Sequence, residues 1–177
     1  MSAQAAASNA SPESVLVIAP TPFFADRGCH VRIYEEVQLL QDLGYRVEVC
    51  TYHLGRDLPG VRTRRTIPIP WYRKLGPGPS YHKLYADALL FGTCVRSILA
   101  RRPALIHAHL HEGAMLGALL GKLFRIPCVA DLQGSLTKEL EDYTFAGNHS
   151  LVYRLLRAME GWINRSVDQI VVSSDVM

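Results

Sequence analysis

Short apolar runs alternate along the chain with longer segments in which apolar residues recur at helical spacing. The runs predict six strands, at 15–19, 47–51, 61–67, 104–108, 128–132 and 168–173. The helical spacing predicts helices at 30–43, 80–101, 112–124 and 150–165, with a short helix after Ser135. Strands that alternate with helices through brief loops are typical of a parallel sheet covered on both faces. The pattern therefore predicts an α/β, Rossmann-like, doubly wound fold.

The domain organisation follows from where this pattern begins. Residues 1–14 are small and polar, and we expect them to form a disordered leader because they offer too little apolar surface to bury. Residues 15–177 make one domain of ordinary size. The leader lacks the basic start of a secretory signal, and no apolar stretch reaches the ~18 residues that cross a bilayer. A cytoplasmic protein is therefore expected.

Charge and cysteine content narrow the classes of partner. The net charge of +3 is mild, so no nucleic-acid partner is expected. Basic and aromatic residues are concentrated between Arg62 and Lys83, a composition that suits either contact with the inner face of an anionic membrane or an ordinary solvated loop. The four cysteines are scattered and form no CxxC pair, so we expect free thiols in a reducing compartment.

Ligands of such folds bind beyond the carboxyl ends of the strands, which directs attention to the loops after residues 19, 108 and 132. The first loop leads into a helix whose amino end can receive an anion or a sugar hydroxyl. It offers Arg27, Gly28, His30 and Arg32 as cleft residues, with a plain strand-to-helix turn as the alternative. The loop lacks the GxGxxG pattern, so dinucleotide binding is not predicted.

The second loop carries the sequence IHAHLHE, from Ile106 to Glu112. Alternation in a regular strand would place His107, His109 and His111 on one side. With Glu112 they suit a polar substrate site, a metal site or a structural role, and His107 is the one best explained as a hydrogen-bonded core residue. The metal interpretation has no second cluster to complete its ligand shell.

The third loop contains Asp131, Gln133, Gly134 and Ser135 at the exit of a buried strand. Polar groups there are costly unless they are paired. They either contact a substrate or cap nearby backbone amides, and the two roles are compatible. On the helix at 112–124, small residues favour close packing, namely Ala114, Gly117, Ala118 and Gly121.

Three segments together resemble the N-terminal domain of family 4 glycosyltransferases of the GT-B fold. They are VLVIAPTPFFADRGCHVRIYEEVQLLQDLGYRVEV, ALIHAHLHEGAMLGALLGKLFRIPCVADLQGS and VDQIVVSS, and they span nearly all of 15–174. The resemblance implies retaining transfer of a sugar from a nucleotide-sugar donor without an obligatory metal. It also implies that this domain supplies the acceptor side, with the Gly28 loop against the cleft and no cofactor on this chain. Gln133 stands where the family often has a histidine, so His109 becomes the catalytic candidate.

In the family a second Rossmann domain binds the donor, and we expect it to be absent from these 177 residues. The resemblance then implies a fragment or one part of a split enzyme, inactive alone, that needs a C-terminal domain or a partner chain and acts on a glycan or lipid-linked acceptor. Two other functions stay open. One is a metal-dependent hydrolase built on the three histidines, and the other is a non-catalytic glycan-binding or docking module.

Overall fold

A computed structural model describes residues 12–25, 28–71, 82–133 and 151–172. Its strands, all paired in parallel, are β1 (Ser14–Ala19), β2 (Arg46–Thr51), β3 (Arg62–Arg65), β4 (Leu105–His109), β5 (Cys128–Leu132) and β6 (Gln169–Val172). Its described helices are α1 (Gly28–Asp42), α2 (His82–Ala100), α3 (Leu110–Phe124) and α4 (Leu151–Asn164). The strands form one sheet in the order β3-β2-β1-β4-β5-β6. The predicted fold class is confirmed.

The order of the strands fixes where a ligand can bind. β1 lies at the centre, and the chain moves outward to β3 on one side and to β6 on the other. The direction of winding reverses between β1 and β4, where Val17 pairs with His107. On the next pair of strands His109 lies opposite Asp131. The carboxyl ends of β1, β4 and β5 therefore meet at the edge where such sheets bind ligands.

The two faces of the sheet bury different helices because successive residues of a strand point to opposite sides. On one face Val17 and Val49 pack with Ile33 and Val37 of α1. Two clusters on the other face join even-numbered residues of the central strands to α2, α3 and α4, including Ile18, Ile106, Leu90, Leu120, Ala130 and Ile163. His107 and His109 share the α1 face, since they alternate with Ile106 and Ala108.

The small-residue face of α3 packs as closely as the sequence predicts. A Cβ atom added at Gly117 would lie 2.8 Å from the Ala108 Cβ and 2.8 Å from the Cys128 Sγ. One added at Gly121 would lie 2.8 Å from the backbone oxygen of Ile126. Glycine at these positions lets α3 pack closely against β4 and β5.

One of the boundaries that differ from the prediction affects the histidines. β4 continues through His109, and α3 begins at once at Leu110, whose φ of 61° lies in the left-handed region. The strand therefore ends before His111, which belongs to the helix. The expectation that three histidines share one side fails because strand alternation stops at His109. The short helix predicted after Ser135 lies outside the described residues.

Candidate functional site at the carboxyl edge of the sheet

The carboxylate of Asp131 organises the polar residues at this edge. It has no exposed surface, and it accepts hydrogen bonds from Arg32 Nε and Nη2, both at 2.8 Å. Nδ1 of His109 lies 3.1 Å away, and Nε2 of Gln133 donates at 3.3 Å. Burial alone would raise the pKa of Asp131, but these hydrogen bonds outweigh it and lower the pKa to about 2. The side chain is therefore a fixed anion that ties α1, β4 and β5 together.

Glu36 and His107 extend this network, and the sequence did not reveal Glu36. Nε2 of His107 lies 3.3 Å from Oε2 of Glu36, and Nε2 of His109 lies 3.8 Å from the same oxygen. Arg32 Nε approaches the other oxygen, Oε1, at 3.1 Å. Burial raises the pKa of Glu36 and lowers that of His107 to about 4, so His107 is neutral near pH 7. Glu36, His107 and His109 each offer one atom that can bind a metal ion. These three atoms lie within 4.8 Å of one another.

The sequence contains one partial signal for Glu36, which is its spacing from Arg32. Arg32 and Glu36 are four residues apart and therefore share one face of α1. The pairing of β1 with β4 places His107 beside Val17, whose side chain packs under α1. Only the strand order, which the sequence pattern does not give, shows that this helix face meets the histidines.

His30 closes the first loop from within. Its side chain is buried, its Nδ1 accepts a hydrogen bond from the backbone N–H of Ala25 at 2.9 Å, and its Nε2 lies 2.5 Å from the Thr21 hydroxyl. Because Nδ1 accepts a hydrogen bond, Nε2 carries the N–H of the neutral ring and donates a hydrogen bond to the Thr21 hydroxyl. These bonds hold the loop against the start of α1.

Gly28 is exposed at the first position of α1, and a Cβ atom there would meet nothing within 4 Å. Packing therefore does not require a glycine at this position. Three further predicted cleft residues, Arg27, Gly134 and Ser135, lie outside the described residues.

His111 and Glu112 form a second group on the opposite face of the sheet. His111 Nε2 lies 3.8 Å from Oε1 of Glu160 on α4, and Lys83 Nζ of α2 donates to Glu112 Oε1 at 2.5 Å. Burial tends to raise the pKa of Glu112, but the charge and hydrogen bond of Lys83 give a net lowering. These two residues therefore do not join the cluster of Glu36, His107 and His109.

Another acid of this second group was not predicted from the sequence. Asp87 on α2 is buried and accepts a hydrogen bond from the Tyr52 hydroxyl at 2.5 Å. Burial raises its pKa to about 6, partly offset by that hydrogen bond. Asp87 lies on a helix that reads as mainly apolar, so its burial becomes evident only when α2 is placed over β2.

The remaining predictions about composition concern thiols and the membrane. None of the four cysteines, all in the described part of the chain, forms a disulfide. Among the helices in the described part of the chain, none is long and apolar enough to cross a membrane. In the basic segment, Ile67 and Trp71 are 66% and 76% exposed, whereas Arg64 is paired with Glu48.

The sequence matches a known family. The model of the glycosyl transferase 4-like domain family matches residues 27–177, most of the chain. The chain belongs to this family. Among curated protein sequences no relative matches the chain.

Solved structures share the fold. Sucrose-phosphate synthase from Thermosynechococcus elongatus is similar with a TM-score of 0.71 and 15% identity, over 92% of this chain and 42% of that one. A UDP-glucosyltransferase from Polygonum tinctorium gives 0.59 and 11%, over 94% and 47%. The Anabaena protein HepE, solved with UDP and glucose, gives 0.55 and 17%, over 89% and 37%. The fold is thus that of one Rossmann-like half of a GT-B glycosyltransferase, and the chain spans less than half of each of these proteins.

Proposed function

We propose that these residues form the acceptor-side lobe of a retaining glycosyltransferase. The lobe would hold a glycan or lipid-linked acceptor while a sugar is transferred from a nucleotide-sugar donor. The observation that carries the proposal is the polar network of Arg32, His109, Asp131 and Gln133 at the carboxyl edge of the sheet, in a chain whose family is glycosyl transferase 4-like. Strand order reverses at this edge, which is where folds of this class bind ligands.

The donor would bind outside this lobe. The described residues form one sheet, and the similar solved proteins are more than twice as long as the part that this chain matches. Transfer between two substrates requires both to be held in one geometry away from water. A second lobe, in the same polypeptide or in a partner chain, would supply the nucleotide site and close over the acceptor.

Within the lobe, the residues have different proposed roles. Gln133 is partly exposed and can hydrogen-bond an acceptor hydroxyl, but an amide cannot transfer a proton. The exposed amino end of α1 at Gly28 can bind a hydroxyl or a phosphate through its backbone amides. His109 is the catalytic candidate that the sequence indicates. Because its side chain has no exposed surface and faces two carboxylates, we favour a positioning role for it through Asp131.

Two binding measurements on the purified chain test this proposal. A glycan array should give saturable binding to a subset of sugars, whereas UDP-glucose should neither bind saturably nor be turned over. Gln133→Ala should weaken the best glycan about tenfold, as expected for one lost hydrogen bond of about 1.4 kcal/mol. Gln169→Ala is the matched control, because Gln169 is exposed at the amino end of β6, away from the carboxyl edge of the sheet. Normal turnover of UDP-glucose by this chain, or equal losses in both variants, would refute the proposal.

Binding to glycans without any contribution to transfer would favour the docking-module alternative. That case is recognised by adding a donor-binding partner. An acceptor-side lobe then gives transfer that Gln133→Ala slows, whereas a docking module gives none.

A lipid-linked acceptor is the narrower version of the proposal. Ile67 and Trp71 are exposed just beyond β3, at the same edge of the sheet as the network. The three arginines of β3 outnumber the two acids that pair with them, Glu48 and Asp57. Such a surface can enter the headgroup region of an anionic membrane. Co-sedimentation with phosphatidylserine vesicles should exceed that with neutral vesicles, and a double substitution, Ile67→Ser with Trp71→Ser, should reduce it. Negligible binding to both kinds of vesicle would remove the lipid version alone.

A further inference from the structure

Three ligating side chains converge between α1 and the middle of the sheet. Nε2 of His107 lies 3.3 Å from Oε2 of Glu36, and Nε2 of His109 lies 3.8 Å from it. Neither Nε2 atom has a hydrogen-bond partner among the described residues, although both atoms are buried and the His109 side chain has no exposed surface. Buried polar atoms in native proteins normally have a partner. Two such atoms close to one carboxylate oxygen form a set of donors that a cation can bind.

Asp131 determines what His109 presents to that space. A carboxylate only accepts hydrogen bonds, so the contact of 3.1 Å with Nδ1 places a proton on Nδ1. In the neutral imidazole Nε2 is then a bare lone pair, facing the negatively charged Oε2 of Glu36. Two electron-rich atoms at this distance repel unless a positive charge, carried by a proton or a metal ion, lies between them. A carboxylate behind a histidine is also the arrangement that orients histidine ligands in metal sites.

The charges of the neighbouring groups leave room for a cation. Arg32 is bonded to both oxygens of Asp131 and approaches only the Oε1 atom of Glu36. Oε2 of Glu36 therefore remains available on the side of the histidines. One arginine against two carboxylates leaves one net negative charge, which a bound cation would balance.

We propose that Glu36, His107 and His109 bind one divalent cation of the zinc type, with Asp131 orienting His109. Ligands of a tetrahedral zinc ion at about 2.0–2.2 Å lie roughly 3.3–3.6 Å from one another. The distances of 3.3 and 3.8 Å to Oε2 of Glu36 are close to that spacing. Two imidazoles and one carboxylate favour zinc, cobalt or nickel over magnesium and calcium, which prefer oxygen ligands. The fourth position would be taken by water.

The ion would join the middle of α1 to β4, where His107 lies beside Val17 of β1. It differs from a site built on the IHAHLHE motif, because His111 and Glu112 are turned to the other face. The inference does not depend on the proposed function, since it needs neither an acceptor nor a donor lobe.

Cobalt titration of the full chain, first stripped with EDTA, tests the site directly. Co²⁺ should bind at one ion per chain with the visible d–d absorption of a four-coordinate complex. The near-ultraviolet charge-transfer band of a thiolate ligand should be absent, because the proposed ligands are nitrogen and oxygen only. Zn²⁺ should displace the cobalt and raise the Tm, whereas Mg²⁺ should do neither.

Variants separate this site from other histidines. His107→Ala and His109→Ala should abolish the d–d absorption, Glu36→Gln should weaken binding at least about tenfold, and Asp131→Asn should weaken it by about 10–100-fold. His111→Asn is the matched control and should bind as the parent does. Circular dichroism identifies variants that fail to fold. If the histidine variants do not fold, the cobalt affinity of the conservative variant Glu36→Gln decides the test. The proposal is overturned if no stoichiometric complex forms, if the thiolate band appears, or if His111→Asn loses as much affinity as Glu36→Gln.

Discussion

The substitution Asp131→Asn tests whether the network at the carboxyl edge stabilises the fold. Asparagine keeps the size of the side chain but removes its charge, and its NH₂ group must face donors that now have no acceptor. Removing one partner of a fully buried ion pair costs about 3–5 kcal/mol. Arg32 is 31% exposed and also approaches Glu36, so water and Glu36 offset part of that cost. We expect the free energy of unfolding to fall by about 2–4 kcal/mol, a large part of the roughly 5–15 kcal/mol typical of a domain.

Urea unfolding at pH 7, followed by circular dichroism in the presence of EDTA, measures this loss without a contribution from bound metal. The m-value should stay unchanged, so that the midpoint reports stability. The control is Asp57→Asn, because Asp57 also receives two hydrogen bonds from one arginine, Arg65, but is 71% exposed. Exposed pairs contribute about 0–1 kcal/mol. Equal small losses in both variants would refute a stabilising role for the buried network.

Two further predictions concern the opposite face of the sheet. The raised pKa of Asp87, about 6 against 3.8, means that its contribution to stability is complete below pH 4 and is lost as the pH rises through 6. Asp87→Asn should therefore be more stable than the parent at pH 8 by up to about 3 kcal/mol, and urea midpoints that keep the same pH dependence in both proteins would contradict this. Gly117→Ala should lower the Tm because its Cβ would lie 2.8 Å from side chains of β4 and β5, at a cost of about 1–3 kcal/mol. Gly92→Ala, where a Cβ meets nothing within 4 Å, should leave the Tm unchanged or raise it.

The fold could be predicted from the sequence because its signals are local. The continuous apolar run at Val15–Ala19 and the small residues of α3 each report the packing of one element against a buried sheet. The boundary at His109 was missed because Leu110, and not a glycine, takes the left-handed conformation there. Leucine gives no sign of such a turn in the sequence.

The site could be predicted only in part because its partners are distant in the chain. The sequence singles out His109 and Asp131, which the structure brings together, because each lies at or near the end of a buried strand, where polar side chains are conspicuous. Glu36 was not found, because an acid on an amphipathic helix usually faces solvent. Its role depends on the contact of α1 with β4, a property of strand order that no local pattern encodes. The grouping of His111 with the other two histidines is wrong because β4 ends at His109 and α3 begins at Leu110.

Backbone NMR of the chain, titrated with the best sugar from the glycan array, tests the proposed acceptor side most directly. The amide resonances that shift on titration should cluster at Gly28, Arg32, His109 and Gln133. Shifts confined to the opposite edge of the sheet, near Arg101 and the start of β2, would contradict the account even if the sugar bound tightly.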